Sequence, residues 1–225
     1  NYHYNSRQTM RRRCYNNRDK NTMLLLHYDG NYDDACGNEC NLIYNNNYIS
    51  YVIGKFSNAI RSSVTSDVSY YYYNKQIDLN STDVTIEFFA KIGNSGGNAS
   101  IRVGSKISSY LGQDGQFCVN INYNNNITIL VANSGYTSWS IVRQTSITIP
   151  SDGLFHHVAI TYNSGSCKIY IDGVYKYTTT LTLPTTQNGN VAVLLDNNHV
   201  LDELRISNVI RYTANFNIPT KPYEL

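Results

Sequence analysis

Residues 155–177 read FHHVAITYNSGSCKIYIDGVYKY, and no other stretch limits the possible folds so tightly. Apolar and polar residues alternate with period two, as in a strand with distinct faces. His156, Val158, Ile160 and Tyr162 fall on one face, and Phe155, His157, Ala159 and Thr161 on the other. Asn163-Ser164-Gly165 ends that strand, and the next, Cys167 to Ile171, turns at Asp172-Gly173. Asp-Gly between alternating runs marks a hairpin, because both turn positions need positive φ. Three consecutive antiparallel strands follow. Histidine is a common metal ligand, but these two point to opposite sides of a sheet and cannot chelate one ion together. His156 is read as a hydrogen-bonded core residue and His157 as a residue of the other face.

The rest of the chain repeats this grammar. Short runs such as MLLLHY, YISYVI, VTIEFFAKI, ASIRVG, FCVNINY, ITILVA, NVAVLL and VLDELRI are cut by Gly, Asn, Asp and Ser turns, with no convincing long amphipathic helix. About a dozen short strands at this spacing predict an all-β sandwich or barrel, and 225 residues fit one such domain. In VTIEFFAKI, Ile86, Phe88, Ala90 and Ile92 share one face while Glu87, Phe89 and Lys91 share the other, which predicts a sheet with one buried side.

Charge divides the chain into two parts. Residues 1–21 carry Arg7, Arg11, Arg12, Arg13, Arg18 and Lys20 against Asp19, while the remainder is slightly acidic. This predicts an extended basic arm over 1–21 and a body over 22–225, the arm suited to an acidic neighbouring subunit or, less favoured, nucleic acid, or else to solvent as a flexible terminus. No apolar run approaches a membrane span and no secretory signal is visible; the start at Asn1 without Met reads as a processed product or a piece of a longer chain. Five cysteines at scattered positions do not form a disulfide framework. The Asn and Tyr runs, N124-N125-N126 and Y70-Y71-Y72-Y73 among them, read as compositional bias.

The three-strand unit resembles the signature of laminin-G-like, concanavalin A-like jelly-roll domains: an aromatic followed by HHVA-T-Y, a short turn, and a strand ending in I-DG-V. The resemblance extends to LLLHYDG at 24–30, to Asp34-Ala35-Cys36-Gly37-Asn38, to the Lys55-Phe56 to Ala59 link, and to LDELRISNVIRYTANFNIPTKPY at 201–223. The closing phrase is most similar to versions in bacteriophage virion proteins. Phe155 stands where Trp is usual, and Cys36 and Glu39 where small residues are usual. The family's fold implies a jelly-roll sandwich of two stacked antiparallel sheets, one convex and one concave.

Glucanases of this fold place acids in an E-x-D-x-x-E strand, and glycoside hydrolysis needs two carboxylates across the scissile bond. This chain has four Glu (Glu39, Glu87, Glu203, Glu224) and no such strand. Asp202-Glu203 is the nearest pair, but adjacent strand residues face opposite ways unless a bulge intervenes. No nucleophile elbow, phosphate loop or metalloprotease helix is present, so the chain is read as non-enzymatic. The resemblance implies structural calcium near the sandwich rim, with Asp29, Asp34 and Asp202 as candidates; Asp202 shares parity with Leu204 and Ile206 and is expected to point inward. For glycan binding, which uses aromatic platforms ringed by polar groups, the candidates are Phe89, Tyr136, Trp139 and His157.

The sequence reading is therefore a virion structural or adhesion module, a fibre, tail or capsid-decoration component, presenting a jelly roll to a host-surface glycan or protein. The arm would join it to other virion proteins, a second copy of the chain is a further candidate partner, and no membrane contact is expected. The alternatives are a purely structural virion component that binds no sugar and, less favoured, a glycoside hydrolase; an extracellular adhesin is the alternative setting.

Overall fold

The structure, a computed structural model, describes residues 19–37, 40–42, 49–63, 69–73, 77, 83–93, 97–105, 117–132, 139–183 and 190–225. Among them are fifteen strands and no helix. One sheet runs β13 (Val174–Thr180), β12 (Ser166–Ile171), β11 (His156–Asn163), β6 (Val84–Lys91), β15 (Val200–Ser207), β4 (Asn58–Ser62), β3 (Ile49–Ile53), with β1 (Thr22–Leu26) also paired to β15. The other runs β10 (Trp139–Thr148), β9 (Asn126–Ala132), β8 (Phe117–Ile121), β7 (Ala99–Ser105), β14 (Asn190–Leu195), β5 (Ser69–Tyr73), β2 (Cys40–Leu42). Every pairing is antiparallel. This is the expected two-sheet jelly-roll sandwich.

The three strands read from FHHVAITYNSGSCKIYIDGVYKY are β11, β12 and β13. Asp172 and Gly173 take φ of 50° and 75°, the left-handed pair that an Asp-Gly hairpin requires. Val158, Ile160 and Ile169 enter the core between the sheets, with Ile86, Phe88, Ile101, Val119, Ile129 and Val193. Burying such branched side chains from both sheets is the main source of stability, about 1.5–3 kcal/mol for each residue fully removed from water.

The second face of the eight-stranded sheet departs from expectation. Glu87 and Phe89, predicted to face outward on a one-sided sheet, are fully buried. The cover is the C-terminal tail, residues 208–225, which contains no strand. Phe216 N–H donates to the Gly173 carbonyl at 2.9 Å and Thr85 Oγ1 to the Val209 carbonyl at 2.6 Å. Tyr223 packs with Leu25 and Phe89 in a second apolar cluster. A Cβ at Gly173 would strike the Phe216 carbonyl, so this glycine serves both the turn and the docking of the tail.

At the other terminus, residues 19–21 belong to the body and not to a free arm. Asp19 accepts from Asn21 N–H and Thr22 Oγ1, both at 3.0 Å, and pairs with Arg211. Lys20 is an exposed turn residue within this segment. Arg7, Arg11, Arg12, Arg13 and Arg18 lie outside the described residues.

Candidate functional site: the outer face of the seven-stranded sheet

Alternation assigns the outward side chains of this sheet. Ile101, Val103, Val119, Ile121, Ile127 and Ile129 enter the core, so Ser100, Arg102, Cys118, Asn120, Thr128 and Leu130 face out. The register aligns them in two rows. Leu194, Ser100, Asn120, Thr128 and Gln144 form one, and Ala192, Arg102, Cys118, Leu130 and Val142 the other. Cys118 and Ala192 are fully buried, Ser100 and Thr128 are 4% exposed, and Arg102, Asn120 and Leu130 rise half-buried around them. Small side chains, closed from solvent, stand between larger half-buried ones.

The polar row is ordered by hydrogen bonds. Ser100 Oγ donates to Asn120 Oδ1 at 2.6 Å, and Asn122 Nδ2 donates to Thr128 Oγ1 at 3.1 Å. Asn122 Oδ1 also accepts from the N–H groups of Asn124 (2.9 Å) and Asn126 (3.2 Å), while Asn125 adopts φ 63°. The Asn run therefore closes the β8–β9 turn, as an Asx turn does. Amides, hydroxyls and one guanidinium on a rigid sheet suit hydroxyl-rich or charged ligands, and nothing among them is a nucleophile–base pair.

The aromatics expected to bind sugar are not gathered here. His157 and Phe89 lie on the opposite sheet, fully buried, so neither can meet a ligand at the surface. His157 Nε2 donates to the Tyr223 hydroxyl at 2.9 Å, which donates to Glu87 Oε2 at 3.2 Å. Tyr136 lies outside the described residues, as does the side chain of Trp139; the Trp139 backbone pairs with Ala132.

Under the tail, Glu87 is the hub of an ionic network. Arg205 Nε and Nη2 approach its Oε1 at 2.9 and 2.7 Å, and Tyr212 Oη donates to Oε2 at 2.6 Å. Burial alone would raise the carboxyl; His157, Arg205 and Tyr212 more than reverse it and hold it at about 2. Arg205 also stacks its guanidinium 3.9 Å from the Tyr223 ring.

The three candidate calcium ligands do not form one set. Asp34 Oδ1 accepts from Leu25 and Cys36 N–H, both at 2.9 Å, Asp29 Oδ1 from Asn58 N–H at 2.9 Å, and Asp202 Oδ2 from Lys55 N–H at 2.6 Å. Among the described residues no three His, Cys, Asp or Glu gather as a metal site. These carboxylates instead bond backbone N–H groups of neighbouring turns.

Asp202 also reverses the expected direction. A bulge between Asp202 and Arg205, with Glu203 at φ 50°, puts Asp202 opposite Phe89 on the outer face while Leu201, Leu204 and Ile206 keep the core. Burial pushes Asp202 up to about 7, opposed by the Lys55 N–H and assisted by the Glu203 charge. Glu203 is held by His27 Nδ1 at 2.7 Å and Tyr223 N–H at 3.0 Å. The bulge that a carboxylate pair would need is present, yet each acid is 1% exposed and bonded within the fold.

An all-β sandwich with a polar row on one sheet and a strapped second sheet defines a jelly-roll module. A profile described as the concanavalin A-like lectin/glucanases superfamily matches residues 65–213, more than half the chain, and the protein belongs to that superfamily. A search of curated proteins by sequence gave no match. Among solved structures, the chain is similar to the binding domain of botulinum neurotoxin serotype D (TM-score 0.59, 16% identity), covering 84% of this chain and 48% of that one. It is also similar to the carbohydrate-binding module CBM66 from Bacillus subtilis (0.50, 13%; 75% and 94%) and to a sialidase from Trypanosoma rangeli (0.59, 11%; 88% and 31%). This chain spans about half of the neurotoxin domain. At these identities the likeness is one of fold, found in binding domains and in an enzyme alike.

Proposed function

We propose that this chain is a non-enzymatic recognition module that binds glycan on the outer face of its seven-stranded sheet. The observation that carries the reading is the polar row in which Ser100, Asn120 and Thr128 stand side by side next to Arg102. Hydroxyl and amide groups fixed on strands present donors and acceptors at defined spacing, which is what a sugar's hydroxyls require. Membership of a lectin-containing superfamily supports it, and so does the likeness to a carbohydrate-binding module. Against hydrolysis stand Asp202 and Glu203, the nearest carboxylate pair, both buried, the first bonded to Lys55 N–H and the second to Tyr223 N–H of the tail.

The setting we propose is a virion, with host-surface glycan as the target; the phage-like closing phrase Arg211 to Pro219 supports it, and an extracellular adhesin is the alternative. The basic residues before Asp19 would anchor the module to other virion proteins. Deleting residues 1–18 is then expected to leave the melting curve unchanged and abolish incorporation into particles; normal incorporation refutes the anchor.

A glycan array probed with the full chain tests the binding reading. Wild type is expected to bind a defined subset of sugars, and Asn120→Ala to weaken that binding on the order of tenfold through loss of hydrogen bonds. An array silent for the folded wild-type protein removes the glycan reading and leaves a purely structural virion role.

A further inference from the structure

We propose a second binding site, on the eight-stranded sheet, where Arg61 and Lys91 hold an acidic saccharide through its sulfate or carboxylate groups. It is independent of the glycan reading for the other sheet. The residues come from one row of the register. Lys91 on β6 stands opposite Val200 on β15, Val200 opposite Arg61 on β4, and Arg61 opposite Ser50 on β3. Ala90, Ile92, Leu201 and Ile60 enter the core, so the residues of this row face outward. At one end of the row, Lys91 Nζ lies 5.1 Å from the centre of the half-buried Phe155 ring.

Arg61 carries the assignment. Half-buried Arg205 pairs with Glu87, and half-buried Arg211 with Asp19. Arg61 is half-buried as well, yet among the described residues its side chain has neither an ion pair nor a hydrogen bond. Its Nε is closed from solvent without an acceptor, as is the hydroxyl of Ser50 opposite it. The two Nη nitrogens, equally without acceptors, are not closed off, so the guanidinium meets solvent through its fork end. A carboxylate or sulfate meets that end with paired N–H donors, a charge-assisted contact roughly twice as strong as a neutral one. No space between the side chains of the row is required, and Val200 stays covered at 3% exposed.

The surroundings select the ligand. On the neighbouring row, Lys55 Nζ lies 5.6 Å from the Phe89 ring centre and adds a third cation. Asp202, the carboxyl of that row, is 1% exposed and accepts from Lys55 N–H. Strands β11, β6, β15 and β4 each have a neighbouring strand on both sides, so an extended peptide finds no edge to lengthen. Three cations on a body that is slightly acidic as a whole fall short of a nucleic-acid stripe. β4 and β6 are two strands apart, roughly 10 Å. That spacing suits successive anionic groups along a sugar chain better than one small ion.

The test is calorimetric titration of the full chain, at low and high salt, with a sulfated hexasaccharide, a uronate hexasaccharide, a neutral hexasaccharide and inorganic sulfate. Wild type is expected to bind the acidic sugars, more weakly as salt screens the pairs. The sulfated and uronate probes tell which anion is preferred, and either fits. Arg61→Gln is expected to lose at least about tenfold in affinity for them, and Lys91→Gln to lose less. Lys176→Gln, the same charge change on exposed β13, is expected to match wild type. If Arg61→Gln does not fold, Arg61→Lys carries the comparison, because it keeps the charge and lacks the fork. Full affinity in the Arg61 and Lys91 variants, or no heat from either acidic sugar with folded wild type, overturns the site. A neutral hexasaccharide that loses as much in Arg61→Gln as the acidic ones overturns the acidic class. Inorganic sulfate binding as tightly as the sugars assigns the row to a free oxyanion and overturns the saccharide.

Discussion

Glu87 and Arg102 occupy comparable places, each outward from the middle of a sheet, and their surroundings differ completely. Glu87 is sealed under the tail with Arg205, Tyr212, Tyr223 and His157 around it. Arg102 is half-buried among small and amide side chains, in strands that carry no acid. A charge sealed inside must be matched by the protein itself. The outer face around Glu87 holds the tail to its sheet, and the face around Arg102 is the one we propose for recognition.

The largest expected effect breaks or upholds that division directly. Glu87→Gln strands Arg205 without its anion, and is expected to cost about 3–5 kcal/mol. Arg102→Gln, at a half-buried position, is expected to cost less, about 0.5–3 kcal/mol. Urea denaturation measures both, and similar losses would erase the distinction. The acid limb gives a second reading. Glu87 is lowered from 4.5 to about 2, so its contribution is complete above 4.5 and is lost as pH falls toward 2. Glu87→Gln should flatten that limb, and Arg102→Gln should not.

Next comes the junction between tail and hairpin. Gly173→Ala puts a Cβ at φ 75° and into the Phe216 carbonyl. The backbone strain alone is worth about 1–3 kcal/mol, and the tail must also shift. Faster hydrogen exchange at Phe216 N–H, bonded to Gly173, with unchanged exchange across β7 and β8, would show that the damage stays on the strapped side. Tyr223→Phe is milder. It removes one hydroxyl shared by His157 and Glu87, at about 1–3 kcal/mol for the groups left unsatisfied. Wild-type stability in this variant would mean that the hydroxyl is not needed to satisfy the network.

What was legible in the sequence follows from range. Period-two alternation and the Asp-Gly turn are local, and they yielded β6, β11, β12, β13 and the opposed histidines. The one-sided reading of β6 failed because its cover comes from Tyr212 and Tyr223, more than a hundred residues away. Nothing near Glu87 announces that partner. Asp202 was turned the wrong way by a bulge at Glu203, a non-glycine at positive φ, which no residue type signals. Strands β2 and β4 were missed because CNL and NAIRS are too short to show a period. The face we propose for recognition is the complement of correctly read core positions, and the search for aromatics passed over it.

The smallest effect is the pH dependence at the edge of the strapped sheet. His156 donates from Nδ1 to Asp172 at 2.7 Å and from Nε2 to Asp152 at 3.1 Å, so it is held as imidazolium. Partial burial would lower its pKa, but the two carboxylates outweigh that and raise it above 6.5. A raised folded value means stability fully present below 6.5 and lost as pH climbs through the folded pKa. Asp202, raised from 3.8 to about 7, also makes stability fall with rising pH, but over that lower window. His27, raised mainly by its bond to Glu203, has the sign of His156. The share of His156 is therefore the difference between wild type and His156→Asn above pH 7. The variant should lose stability less steeply there, in thermal melts taken from pH 6 to 9. Identical slopes would mean that the Asp152–His156–Asp172 contacts contribute nothing beyond hydrogen bonding, and that the charges coupled to folding in this range lie elsewhere, His27 among them.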